Sequence, residues 1–176
     1  FTRDDYLWAS NLGNSTRNTF QLGARPARAL NSILEQNFNV KVWYRPAMDD
    51  TSACATVGDF GAGILIDSTD APWRRNFDLA HELFHLLTWE SFAKQEQRDE
   101  AWHSRVEKMA EVFASSLLLP EEEIRTEFAS KINEDRISYI DLINIARDFD
   151  VSTSALLWRL VVLKCLKEDD VAEALK

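Results

Sequence analysis

His81-Glu82-Leu83-Phe84-His85 is the stretch of this chain whose residue types and spacing could do chemistry. Histidines at i and i+4 lie one turn apart on one helix face, where two neutral imidazoles can bind one zinc ion. The glutamate after the first histidine then sits beside the metal without ligating it. From there it can take a proton from an attacking water, which is the arrangement of a metal-dependent peptidase. On a buried helix face the same pentad would be two satisfied core histidines, so its surroundings decide.

Those surroundings read as helix. Trp73, Phe77, Ala80, Phe84 and Leu87 recur at spacings of four and three, which predicts a helix from Pro72 to about Thr88 with one apolar stripe. His81 and His85 lie beside that stripe. Asp70 is the expected cap and Pro72 the first-turn residue. A catalytic zinc site takes three protein ligands and leaves a fourth position open. The next helical pattern, Glu107 to Pro120, offers Glu107 twenty-two residues after His85, with room for a loop and an antiparallel return helix. Glu111, one turn further on, falls where it could accept the second ring N–H of a ligating histidine and hold its orientation. For both glutamates a solvated helix face is the alternative.

Two runs, Arg75-x-Phe77-x-Leu79-Ala80-His81-Glu82-Leu83-x-His85-Leu86-Leu87 and Glu107-x-x-Ala110-x-x-Phe113-Ala114-x-x-Leu117-Leu118-Leu119-Pro120, together resemble the ImmA/IrrE-type zinc metallopeptidases. The likeness extends more weakly over roughly residues 25 to 165. It implies an α+β fold with a zincin-like, gluzincin-type core, a small sheet and a two-helix metal site. It also implies Zn2+ as cofactor, with His81, His85 and Glu107 as ligands and Glu82 as the catalytic glutamate. Members of that family cleave, or trigger loss of, helix-turn-helix repressors of the phage and stress-response type. The expected function is thus a zinc metalloendopeptidase acting on such a repressor. Two residues depart from the family pattern. Phe84 stands where glycine is common, which would narrow the cleft near the metal. Glu111 stands where asparagine or aspartate is common, adding a carboxylate that could compete with Glu107.

Composition suits an enzyme of this kind. The chain has 176 residues, enough for one compact domain with a real core. No run of apolar residues is long enough to span a membrane and no signal-peptide pattern is present, so a cytoplasmic location is expected. The chain begins at Phe1 and is read as a processed product or as part of a longer protein. Cys54 and Cys165 stand in no metal or redox spacing and read as small buried residues of a reducing compartment. A formal net charge of −9 argues against a protein held mainly by phosphate contacts. Residues 1 to 45 carry six Lys and Arg against three Asp and Glu, or +3, which leaves −12 on the remainder. An acidic remainder would attract a basic partner such as a DNA-binding repressor, although ordinary cytosolic surfaces are often acidic too.

The elements around the motif follow from local pattern. Residues 1 to 23 mix Asn, Ser, Thr and Gly with scattered aromatics and are expected to form an arm or linker. A zinc metallopeptidase core is expected over 24 to 130 and a helical extension over 131 to 176. Pro26 to Phe38 reads as a short helix. Val40–Tyr44, Ala53–Val57 and Gly63–Ile66 read as three strands, with turns at Asp49-Asp50 and Gly58-Asp59. Gly61 to Asp67 is the candidate edge strand for pairing with an extended substrate, an internal strand being the alternative. Glu90 to Ser104 is polar and reads as a solvated loop, a helix extension or a lid over the cleft. His103, one turn before Glu107, reads as an exposed histidine, an oxyanion stabiliser or a replacement third ligand.

Ser138-x-x-Asp141 and Ser152 start two helices whose spacing resembles a helix-turn-helix unit. Its second helix offers only Arg159 and Lys164 as basic residues. Residues 131 to 176 hold seven Lys and Arg against nine Asp and Glu, which favours packing or protein docking over direct DNA binding. The alternative to a peptidase is a regulatory module that binds a repressor, or DNA, without cutting.

Overall fold

A computed structural model describes residues 1–46, 52–92, 99–133 and 136–174, with the side chains of 173 and 174 left out. The protein is a mixed α+β fold. In chain order come α1 (Arg3–Thr19), α2 (Pro26–Phe38), β1 (Lys41–Arg45), β2 (Ala53–Gly58), β3 (Gly61–Asp67), α3 (Pro72–Leu87) and α4 (Glu100–Leu118). Then follow α5 (Glu121–Lys131), α6 (Tyr139–Asp148), α7 (Thr153–Val162) and α8 (Glu168–Ala174). No helix among the described residues is long and apolar enough to cross a membrane.

The sheet has strand order β1-β3-β2, with β1 parallel and β2 antiparallel to β3. The expected edge strand, Gly61–Asp67, is therefore the central one, and β2 is an edge. The reason lies in burial. Ile64 and Ile66 of β3 are fully buried under α3, which a strand paired on both sides achieves more readily than an edge. On the other face Trp43, Leu65 and Cys54 share one cross-strand row and are exposed. Trp43 lies across Gly63, where a Cβ would meet its ring at 2.6 Å.

α3 begins at Pro72, as the pattern predicts, but its cap is Ala71, with no side-chain cap bond. Asp70 instead pairs with Arg74, 3.4 Å away. Leu79, Ala80, Leu83 and Phe84 form the buried face, while Trp73 and Leu87, the ends of the expected stripe, are exposed. Phe84 meets Phe113 of α4 at 5.6 Å and Trp8 of α1 at 6.0 Å between ring centroids. It points into the core and does not narrow the cleft.

The first 23 residues correct the expected linker: α1 packs along α4. Its start is a capping box. Thr2 Oγ1 accepts from Asp5 N at 3.2 Å, and the Asp5 carboxylate accepts from Thr2 N at 2.7 Å. The same carboxylate takes a bidentate pair from Arg105 of α4, with Nε donating at 2.9 Å and Nη2 at 2.5 Å. Ala9, Gly13 and Thr16 face α4, and a Cβ on Gly13 would stand 2.7 Å from the Phe113 carbonyl oxygen.

α6 and α7 meet at a tight turn in which Asp150 takes φ 54°. Ser138 and Ser152 cap them as expected, accepting from Asp141 N and Ala155 N at 3.1 Å each. The turn is tied to the core, since Asn76 of α3 donates to the Asp150 carbonyl at 3.0 Å and Arg28 of α2 pairs with the Asp150 carboxylate at 2.9 Å. Arg159 is buried, donating to the Leu119 carbonyl at 3.0 Å, and Lys164 lies beyond the end of α7. Neither basic residue is a DNA-reading side chain on that helix.

Two stability tests follow. Gly13→Ala adds a methyl against a backbone oxygen that cannot swing away. Overpacking costs about 1–3 kcal/mol and exceeds the helix-propensity gain of up to ~1 kcal/mol, so Tm should fall by roughly 2–6 °C in calorimetry. An unchanged or raised Tm would show that α1 is not held this closely. Asp5→Asn removes a carboxylate that Arg105 and Thr2 hold well below the usual carboxylate range. Because the folded-state pKa is depressed, its stabilisation is complete above about pH 4 and is lost as pH falls below that. The Tm gap between wild type and variant should be full at pH 7 and shrink toward pH 2.

Candidate metal centre

The helical period brings His81 and His85 to one face of α3, and packing of α3 on α4 brings Glu107 opposite them. The His81 and His85 Nε2 atoms are 3.2 Å apart. Glu107 Oε2 is 2.9 Å from the first and Oε1 is 3.4 Å from the second. All three donor atoms lie within 4.8 Å of one another. In a tetrahedral zinc site with bonds of about 2.0–2.1 Å, ligand atoms stand roughly 3.3 Å apart, so the donors already have the right mutual spacing. Two imidazoles and one carboxylate are also a chemically suitable zinc set.

The electrostatics separate the two glutamates. Hydrogen bonds to His81 and then His85 hold the Glu107 carboxyl well below the usual carboxylate range, so it stays ionised. Glu82 is 8% exposed, and burial raises its pKa, opposed in part by His85 and His81. For His81, burial works against protonation, but the Glu107 hydrogen bond and the charges of Glu107, Glu82 and Glu111 outweigh it and raise its pKa. A dication between these groups would instead keep both rings neutral. Glu82 accepts no hydrogen bond among the described residues, which leaves its carboxylate available to a water.

The other expected site residues fall elsewhere. Glu111 is exposed and makes no hydrogen bond to either histidine; it lines a cavity with Asp78 and Phe77 instead. Its charge nevertheless acts on His81. His103 is exposed and lies outside the His81, His85 and Glu107 cluster. The stretch considered as a lid includes residues 93–98, which lie outside the described residues; Glu100 to Ser104 belong to α4. Asp78, three residues before His81 and so on the same side of α3, belongs to no motif in the sequence.

The three donors could together hold a metal ion. The chain belongs to the Peptidase_M78 family, whose IrrE N-terminal-like domain matches residues 35–161. That match takes in the sheet, α3 and α4, and makes this a metallopeptidase-family chain. In fold it is similar to a solved Mycobacterium tuberculosis transcriptional regulator, with a TM-score of 0.60 and 18% identity. The likeness covers 92% of this chain and 47% of the regulator, so the chain spans about half of that protein's length. No curated protein matches the chain by sequence.

Zinc titration of the purified chain should reveal about one tight site, as a three-ligand open centre requires. Glu107→Ala should weaken it by well over tenfold and Glu111→Ala by less than about threefold. The reverse order would identify the wrong glutamate as ligand.

Proposed function

We propose that the chain is a zinc-dependent endopeptidase with a zincin-like core, in which His81, His85 and Glu107 hold the ion and Glu82 moves the proton. The convergence of three donor atoms beside a buried, unligated carboxylate carries this reading. When bound, zinc supplies a Lewis acid that polarises the scissile carbonyl and lowers the pKa of the attacking water to about 7. Glu82 takes the water proton during attack and delivers it to the leaving amine. Burial raises its pKa, which favours a carboxylate that both takes up a proton and gives it back. Glu107 stays anionic throughout and offsets the positive charge.

The substrate backbone pairs along the outer edge of β2, one of the two edge strands and the one that packs against α3. The expected substrate is a helix-turn-helix repressor. Family membership, the acidic balance of the chain and its likeness to a transcriptional regulator all favour a partner of that kind. The same likeness supports a second reading, in which the chain binds the repressor without cutting it.

Glu82→Gln keeps the volume and removes the base. Zinc content and folding should persist while repressor cleavage falls by about 10²-fold or more. Metal by elemental analysis, binding by calorimetry and cleavage by gel should be read on the same preparation. Wild-type cleavage rates in the variant would remove Glu82 from the mechanism. Tight binding by wild type with no cut under any metal would establish the second reading.

A further inference from the structure

α1, α3, α4 and α7 enclose a cavity of about 640 Å³, a volume in the range that takes a small-molecule ligand. None of His81, Glu82, His85 and Glu107 lines it, so it is a second site and not an arm of the metal centre. Trp73, Phe77 and Trp158 form apolar walls, and both tryptophans keep much of their surface uncovered, at 50% and 43% exposed.

Four charged side chains line the cavity, two of each sign. Arg74 and Asp78 largely offset one another at 3.8 Å, with Asp70 sharing the guanidinium at 3.4 Å. The other two have no such neighbour. Arg159 is 4% exposed, and its bonds go to the Leu119 carbonyl, Ser116 Oγ and the Tyr6 hydroxyl, all uncharged. The carboxylate whose field reaches it, Glu121, is itself bound by Arg125 at 2.8 Å. Those three bonds use three of the five N–H groups of a guanidinium, and a buried cation is ordinarily paired with an anion. Glu111 is exposed and has no ion-pair partner among the described residues.

The unpaired charges stand at opposite ends. His81 feels the charge of Glu111, and Asp78 feels that of His81, so both carboxylates lie toward the metal centre. There the buried Asp78 Oδ2 accepts no hydrogen bond. Ser116, which Arg159 bonds, lies five residues after Glu111, or about 7.5 Å along α4 at about 1.5 Å per residue.

We propose that this cavity binds a small zwitterion the size of a dipeptide, with its carboxylate on Arg159 and its ammonium between Asp78 and Glu111. Apolar side chains of the ligand lie along Trp73, Phe77 and Trp158. An extended chain advances about 3.3–3.6 Å per residue, so two residues span the two poles, whereas a single amino acid carries its charges too close together. A simple acid would leave the carboxylate end unanswered, and a simple amine would leave Arg159 so. The site is independent of the peptidase reading.

The test is calorimetry on the zinc-loaded chain with the dipeptide Leu-Leu in four forms: free, amidated at the carboxylate, acetylated at the ammonium, and blocked at both. Amidation should weaken binding by about tenfold or more, because it removes a charge-assisted bond to a buried guanidinium, and acetylation by about threefold, because Glu111 is exposed. Glu111→Gln should weaken the free peptide by about threefold and the acetylated one by much less, since the ammonium is already gone. Arg159→Gln should abolish the preference for a free carboxylate. Should that buried variant fail to fold, Trp158→Ala at the exposed wall should still weaken all four forms by about fivefold or more. Glu107→Ala, outside the cavity, should leave all four affinities within about twofold. Equal affinity of the free and doubly blocked peptides, no saturable binding of the free peptide, or loss of binding in Glu107→Ala overturns the site.

Discussion

The contact of Phe84 with Phe113 is the constraint on which the candidate centre depends. Both rings are fully buried; Phe84 stands next to His85, and Phe113 lies six residues after Glu107 on α4. Burying an aromatic ring of this size contributes about 3 kcal/mol, a sizeable part of the 5–15 kcal/mol that holds a domain together. Once Phe84 is placed inward, helix geometry leaves no choice about where His81 and His85 go. Once Phe113 meets it, the register of α4 places Glu107 opposite the imidazoles and Glu111 one turn away.

Two carboxylates within one small site then acquire opposite characters. Glu107 lies on the exposed side of α4, bonded to both histidines, and is held anionic. Glu82 shares α3 with the histidines but is buried, and burial pushes its pKa up. Groups of one chemical type driven apart by environment are suited to different tasks, here ligand and proton carrier. Asp78 and Glu111, one turn further along α3 and α4, line a cavity together with Arg74 and Arg159.

α1 shows how a helix escapes notice. Its inner face is made of Ala9, Gly13 and Thr16, small residues that let two backbones approach closely but carry little hydrophobic signal. A search for large apolar residues at helical spacing finds Leu7 and Trp8 instead, and both are largely exposed. The capping box of Thr2 and Asp5 was present in the chain as a local start signal. Its tie to Arg105, one hundred residues on, was not.

What the chain determined by itself was local. A fixed rise and period make two histidines four apart neighbours in any helix, so the pairing of His81 with His85 could be read without knowing the fold. The starts of α2, α6 and α7 were legible for the same reason, since Pro26, Ser138 and Ser152 act within one turn of their own position. Tertiary structure alone decided which glutamate faces the imidazoles, which strand lies at the centre of the sheet, and that Arg159 is buried rather than presented to DNA. Each of those depends on contacts between elements far apart in the chain. No residue's immediate neighbours encode the register of a packed helix or the order of strands, because several registers and orders satisfy the same local pattern and only burial of the whole core selects one.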